Sequence, residues 1–400
     1  MTSQDIFDET RKHFDLPEGV LYLDGNSLGP LAKGVPGRVA QLVQNEWGHH
    51  LIGGWNAAGW VDLPARVGDR IGRLIGASAG TVVMGDTLSI KVYQALASAL
   101  ELRPDRRVIL SDSNNFPTDL YMAQGLIASL DKGHELKVAV PEDVESLIDE
   151  SVAVLMLTEV DYRTGRLHDM ARLTAKAHAA GALVIWDLAH SAGAIAVDVK
   201  GADADFAVGC TYKYLNGGPG APAFIYVAPR LADQARPALS GWFGHAAPFA
   251  FEPGYRPASG IERMRVGTPP VIALGALDAA LDVWDGISMD QVRARSIELS
   301  EAFIAVVEAG CPTLELASPR DPWARGSQVS YFFEDGYAVI QALIAEGVIG
   351  DYRAPSIMRF GFTPLYLSLD DVRRAASILV DIIATRRWDQ DCFKIKGKVT

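Results

Sequence analysis

A short apolar run, residues 182–186, breaks off at Asp187 and continues into Leu188, Ala189 and His190. A second run, 206–209, leads into Tyr212, Lys213 and a glycine-rich turn at 216–220. Runs this short and this uniformly apolar read as strands buried on both faces, which constrains the chain to a largely parallel sheet. Open α/β sheets carry their chemistry just past the carboxyl ends of the strands. An acid at one strand end and a lysine at a nearby one are what pyridoxal 5'-phosphate requires. The lysine makes the covalent link, and the carboxylate keeps the ring nitrogen protonated so that the ring accepts electrons. A strand-capping Asp and a surface Lys would look the same, and these two residues alone leave both readings open.

The flanking sequence supplies the rest of an α/β rhythm. From about residue 63 it reads as helix 66–75, strand 81–84, helix 90–100, strand 108–111 and a helix ending near 128. Strand 138–139, a helix beginning at 144–147, strand 152–158 and helix 169–180 follow. Gly181 closes the last of these as a C′ residue does. This alternation predicts an α/β fold with a mostly parallel sheet flanked by helices. Between strand 81–84 and its helix lie Gly85, Asp86, Thr87, Leu88 and Ser89, a junction whose free N–H groups and hydroxyls suit an anion. Thr87 and Ser89 would equally serve as plain helix caps. No Gly-x-Gly-x-x-Gly follows a strand, and 217–220 is not a Walker loop, so nucleotide and nicotinamide readings lose ground.

At 400 residues the chain exceeds what one core usually supports, so more than one domain is expected. The divisions are placed at an N-terminal segment 1–60, a large domain 61–285 and a smaller α+β domain 286–400. In the last, strands are expected at 328–333 and 357–360, and helices at 289–308, 336–346 and 369–385. A net charge of −12 disfavours nucleic acid and anionic membranes as partners. Three scattered cysteines, Cys210, Cys311 and Cys392, suggest neither a disulfide framework nor a zinc cluster. With no signal-like or membrane-length apolar run, a cytoplasmic protein is expected. Adjacent histidines such as His49 and His50 cannot share a helix face, so they are not read as a metal site. Residues 51–60, rich in Gly and Trp, fit a loop over a pocket or packing between domains. The aperiodic stretch 240–270 is longer than a bland connection should be.

Eight motifs, in order from about residue 21 to 366, give this chain its resemblance to the kynureninases. They lie at 115–121, 162–165, 186–193, 212–220, 241–245, 249–255, 267–270 and 359–366. The resemblance implies the fold-type I architecture of the class V aminotransferase-like enzymes, pyridoxal phosphate as cofactor, and a homodimer. It implies Lys213 as the cofactor's lysine and Asp187 as the partner of the ring nitrogen. Leu88 and Ser89 become phosphate contacts, and Phe116, Pro117, Thr118 and Asp119 the segment that stacks on and borders the ring. Thr158 and His190 become further cofactor contacts, and Tyr212 a phosphate contact that also acts as acid/base. Trp242 and Thr268 would reach the partner subunit's cofactor, which gives the 240–270 stretch a purpose. Arg359 would clamp the substrate α-carboxylate, a task suited to a bidentate guanidinium. Ser89, Thr158 and Thr268 stand where some relatives carry Thr, Ser and Asn, and no substrate role is carried onto His49 or His50.

The implied reaction is hydrolysis of the Cβ–Cγ bond of L-kynurenine, or its 3-hydroxy form, to an aromatic acid and L-alanine in tryptophan degradation. A transaminase or a cysteine desulfurase would share the Asp–Lys core. The desulfurase needs a reactive cysteine on a mobile loop, and neither Cys311, at a helix end, nor Cys392, in the tail, fits that need.

Overall fold

The computed structural model describes residues 3–397. Its strands are β1 (Leu21–Tyr22), β2 (Val82–Met84), β3 (Val108–Asp112), β4 (Glu135–Ala139), β5 (Val152–Thr158), β6 (Leu183–Asp187) and β7 (Phe206–Gly209). They continue with β8 (Phe224–Val227), β9 (Glu315–Leu316), β10 (Gln328–Phe332), β11 (Val348–Ile349), β12 (Asp351–Arg353) and β13 (Ile357–Gly361). Seven of them form one sheet in the order β2-β8-β7-β6-β5-β3-β4. Only β8 runs against its neighbours there; the other six share one direction. Their carboxyl ends therefore open on one edge. The register sets Thr158 beside Asp187, and Asp187 beside Val208.

Side chains alternate across this sheet, as the pleat requires. Val184 and Trp186 of β6 face one core, with Leu155, Leu157 and Tyr226. Leu183 and Ile185 face the other, with Val154, Met156 and Val208. Both faces are thus apolar, which is why the strands show no alternating pattern in sequence. Trp186 is fully buried and donates its indole N–H to Thr174 Oγ1 at 3.0 Å. Burying a side chain of this size contributes on the order of 2–3 kcal/mol.

Most expected elements form close to their predicted ends, but the helix expected at 66–75 opens at Leu63 and the strand expected at 138–139 opens at Glu135. Residues 144–147 make a single 3-10 turn instead of opening a helix, and Ile148 leaves it extended. Strand β8 was not foreseen. Its four residues are all buried, and it is the one strand that reverses direction. The C-terminal part carries a second, antiparallel sheet, β12-β13-β10-β9, covered by helices Met289–Gly310, Gly336–Ala345 and Leu369–Thr385. The N-terminal chain returns to it through β1, which pairs in parallel with β11. Residues 240–270 carry only three short 3-10 turns, Trp242–Gly244, Pro248–Ala250 and Gly260–Met264. No helix among the described residues is long and apolar enough to cross a membrane.

Candidate active site

The loop after β7 presents Lys213. Its turn is tied by Gly217 N to Thr211 O at 2.8 Å and by Asn216 N to Lys213 O at 2.9 Å. Asn216 takes the left-handed conformation, φ 57°, which Asn tolerates better than most residues. From the other side Gly29 packs on this turn, its N–H donating to Tyr212 O at 2.7 Å. A Cβ at position 29 would lie 2.3 Å from Lys213 O, so only glycine permits the approach. Lys213 Nζ donates to His190 Nε2 at 2.9 Å and stands 5.9 Å from the Phe116 ring centre and 5.7 Å from that of Tyr212. Burial first, then the charges of Lys213 and the more distant Arg359 and Arg353, push the His190 imidazolium well down. His190 is accordingly neutral, accepts through Nε2 and carries its proton on Nδ1, which has no protein partner. It sits in a run of turns after β6.

Behind the lysine, two buried carboxyls face each other. Asp187, the last residue of β6, accepts from Ala189 N at 2.8 Å and from Thr158 Oγ1 at 3.4 Å. Asp119, in the first turn of helix Pro117–Leu130, has neither oxygen bonded. Burial and then the neighbouring Asp187 charge push the Asp119 carboxyl well above its ordinary range. Burial also raises Asp187, while Lys213 and its two donors pull it back. The pair therefore keeps its proton on Asp119 and its negative charge on Asp187. Asn115 fixes the adjacent aromatic: it accepts from Phe116 N at 2.7 Å and from Thr158 Oγ1, and donates to Ser111 Oγ at 3.0 Å. Phe116 stays two-fifths exposed at 39%, an open ring face over the lysine. Its edge meets Tyr162, 5.2 Å between centres.

A cavity of about 350 Å³ beside the lysine is lined by Ser27, Leu28, Thr87, Leu88, Cys210 and Tyr212. Helix Leu88–Glu101 begins on its wall. Thr87 makes no side-chain cap there, so the plain-cap alternative is not realised and the first-turn N–H groups stay available, Ser89's among them. Burial raises the Tyr212 phenol and the Cys210 thiol, leaving Tyr212 a proton donor and Cys210 an inert thiol. These groups fit pyridoxal phosphate. An acid charged in a dry pocket suits a ring nitrogen, unbonded polar atoms on Asp119 and His190 await partners, and a helix N-terminus beside an open cavity suits a phosphate.

Arg359, central in β13, is 1% exposed. Its Nε donates to Asp351 Oδ1 at 2.6 Å, and its amino groups reach Asp351 Oδ2, Ser27 Oγ at 2.9 Å and Tyr162 O. Asp24 lies beside this cluster, its carboxyl pushed up to about 7 by burial and then by Asp351. Two expected residues do not join the lysine within this chain. Trp242 packs with Phe243 and Phe249 and is 39% exposed. Thr268 lies on the surface with Gly267, next to Gly85 and Asp86. The 51–60 stretch packs onto this same region, Trp55 stacking on Phe243 at 5.9 Å.

Sequence reasoning missed Lys91. It is fully buried in helix Leu88–Glu101 and donates to Asp86 Oδ2 at 3.3 Å, Gln94 Oε1 at 3.0 Å and Met264 O at 3.0 Å. It thereby ties the Gly85–Ser89 junction to the 260–268 segment. Burial lowers its ammonium to about 8. Asp351 and Arg353 were missed too; a lone Asp-x-Arg before a proline carries no distinctive pattern.

Chains of known structure share this architecture. A cysteine desulfurase from Thermococcus onnurineus NA1 superposes with a TM-score of 0.79 at 18% identity, over 94% of this chain and 98% of that one. The enzyme C-DES, with glycine covalently linked to its PLP cofactor, gives 0.76 at 16% identity, over 93% and 99%. At such identities the likeness is one of fold. The model of the kynureninase C-terminal domain matches residues 292–379. Kynureninase from Pseudomonas fluorescens is 49% identical, over 100% of this chain and 98% of its own length. That from Burkholderia pseudomallei strain 1106a is 50% identical, over 98% and 95%. With half its residues shared end to end, the chain belongs to the kynureninase family.

Proposed function

We propose that this protein is a cytoplasmic, pyridoxal phosphate-dependent hydrolase that cleaves the Cβ–Cγ bond of L-kynurenine, consuming one water and releasing anthranilate and L-alanine. The observation that carries this reading is the full-length likeness to kynureninases in a chain whose β6 and β7 ends present Asp187 and Lys213 at one site. Bound pyridoxal phosphate supplies an electron sink for charge developing at the substrate's α- and β-carbons.

The remaining work falls to the chain. Lys213 would anchor the cofactor, and its amine would serve as the base for the Cα proton. Asp187 would hold the ring-nitrogen proton, with neutral Asp119 beside it adding no second negative charge. Phe116 would stack on the ring, with Pro117 and Thr118 turning the chain past it. Leu88 and Ser89 would offer N–H groups to the phosphate, and Thr158 and His190 would border the ring. Tyr212, a phenol kept protonated by burial, would contact the phosphate and supply a proton to the β-carbon. Acid/base help of this kind is worth about 10²–10⁴-fold. Arg359 receives the α-carboxylate.

In a homodimer, Trp242 and Thr268 would approach the partner's cofactor. Their exposure supports that role. The same reading keeps the division at 1–60, 61–285 and 286–400, supported by the separation of the seven-stranded sheet from the four-stranded one. Borohydride reduction of the cofactor-loaded protein, followed by peptide mass spectrometry, tests the anchor. The cofactor's mass should appear on the peptide that contains Lys213, and its appearance on any other lysine refutes the assignment.

A further inference from the structure

The Arg359 side chain is already busy. Asp351, Ser27 and the Tyr162 carbonyl take four of its five N–H groups, leaving one on the amino group that bonds Tyr162. A carboxylate cannot be gripped by two parallel bonds from this residue unless Asp351 lets go. Asp351 is the directly opposed residue on β12, and Ser27 holds it too, through Oγ to Oδ2 at 2.6 Å.

A second guanidinium lies within one bond of the same atoms. Arg353, two residues along β12 and so on the same face as Asp351, places Nη2 2.9 Å from Asp351 Oδ2 and 3.4 Å from Ser27 Oγ. Its other amino group reaches its neighbour's carbonyl, Tyr352 O, at 3.2 Å, and 37% of the side chain is open. Ser27 lines the cavity beside the lysine, so Arg353 lies one hydrogen bond from a residue of its wall. Its charge is felt by His190 and Tyr212. Two guanidiniums sharing one carboxylate leave a surplus positive charge, and Asp24, neutral in part near pH 7, does not cancel it fully. Such a surplus is relieved by one incoming anion.

We propose that Arg353 is the second carboxylate-binding cation of this site: the α-carboxylate of an amino acid bridges the open amino group of Arg353 and the remaining N–H of Arg359, while Asp351 stays as the counter-ion of both. This rests on the pyridoxal phosphate reading of the Lys213 site. Affinity for the carboxylate then depends on two arginines, of which Arg353 is the more exposed; replacing it removes one of the two cationic partners of Asp351 and leaves the Arg359–Asp351 pair in place.

The test uses the cofactor-loaded protein, wild type and Arg353→Gln, titrated with L-alanine and with ethylamine while the cofactor's visible absorption is followed. The two amines differ by the carboxylate. Loss of a charge-assisted bond should weaken L-alanine by about tenfold or more, while ethylamine stays within about twofold. Arg353→Lys should recover part of the loss, which guards against a folding defect in the first variant. L-alanine binding within about twofold of wild type, or equal weakening of both amines, overturns the inference. A wild type that takes up no pyridoxal phosphate overturns the Lys213 site and this inference with it, an outcome distinct from either of those.

Discussion

Replacing Lys91 by Met should change how the protein's stability responds to alkali. Lys91 is fully buried, and its ammonium titrates at about 8 in place of the ordinary 10.5. Between those values the unfolded chain binds more protons than the folded one, so the Lys91 contribution to stability rises with pH. Below pH 8 the buried charge costs about 3 kcal/mol relative to a free lysine, and the cost fades as pH climbs toward 10.5. From pH 7 to pH 9 the wild type should therefore gain about 1 kcal/mol over Lys91→Met. For a chain of this length that amounts to roughly 1 °C in melting temperature. Melting curves of both proteins across this range, cofactor-loaded, give the comparison. Lys91 also joins Asp86 to Met264 O, so the variant should bind cofactor more weakly at every pH. Wild-type and variant melting temperatures that run parallel in pH would refute the reasoning, because the lysine would then not titrate in this window.

Three further outcomes follow from the same geometry. Asp119→Asn should retain most activity in steady-state turnover, since the amide copies a carboxyl that is already neutral, whereas Asp187→Asn should lose about 10²-fold or more. Gly29→Ala would drive a methyl onto Lys213 O. It should cost about 1–3 kcal/mol in denaturant unfolding and lower cofactor occupancy read from visible absorption. Ser368 caps helix Leu369–Thr385, accepting from Asp371 N at 3.2 Å while Asp371 reaches back to Ser368 N at 2.9 Å. Ser368→Ala should cost about 1 kcal/mol in the same unfolding measurement and leave turnover unchanged.

The strand ends were legible because each buried strand is an unbroken apolar run, and a charged residue at its end stands out against it. That is why Asp187 and Lys213 stand out in the sequence, whereas Thr158, an uncharged strand end, came through family resemblance. Strand β8, Phe224–Val227, is a four-residue apolar run like the others, but it follows a Pro- and Gly-rich turn and lies outside the strand–helix alternation. Its reversed direction is a property of the whole sheet and leaves no local mark. Lys91 was illegible for another reason. In sequence it occupies an ordinary polar place in an amphipathic helix, and only the packing of residues 260–264 over that face buries it. The Asp351–Arg353–Arg359 cluster depends on the register of β12 against β13, which no spacing rule reveals. Arg359 itself came through family resemblance, and the structure adds that its fork is already filled.

The central claim is hydrolytic cleavage between Cβ and Cγ, and heavy-oxygen water tests it most directly. The cofactor-loaded protein is incubated with L-kynurenine in ¹⁸O-labelled water, and both products are analysed by mass spectrometry. The account predicts anthranilate and L-alanine in equal amounts, with one heavy oxygen in the anthranilate carboxylate. Alanine without the aromatic acid, turnover that requires a keto-acid acceptor, or anthranilate free of the label would contradict it.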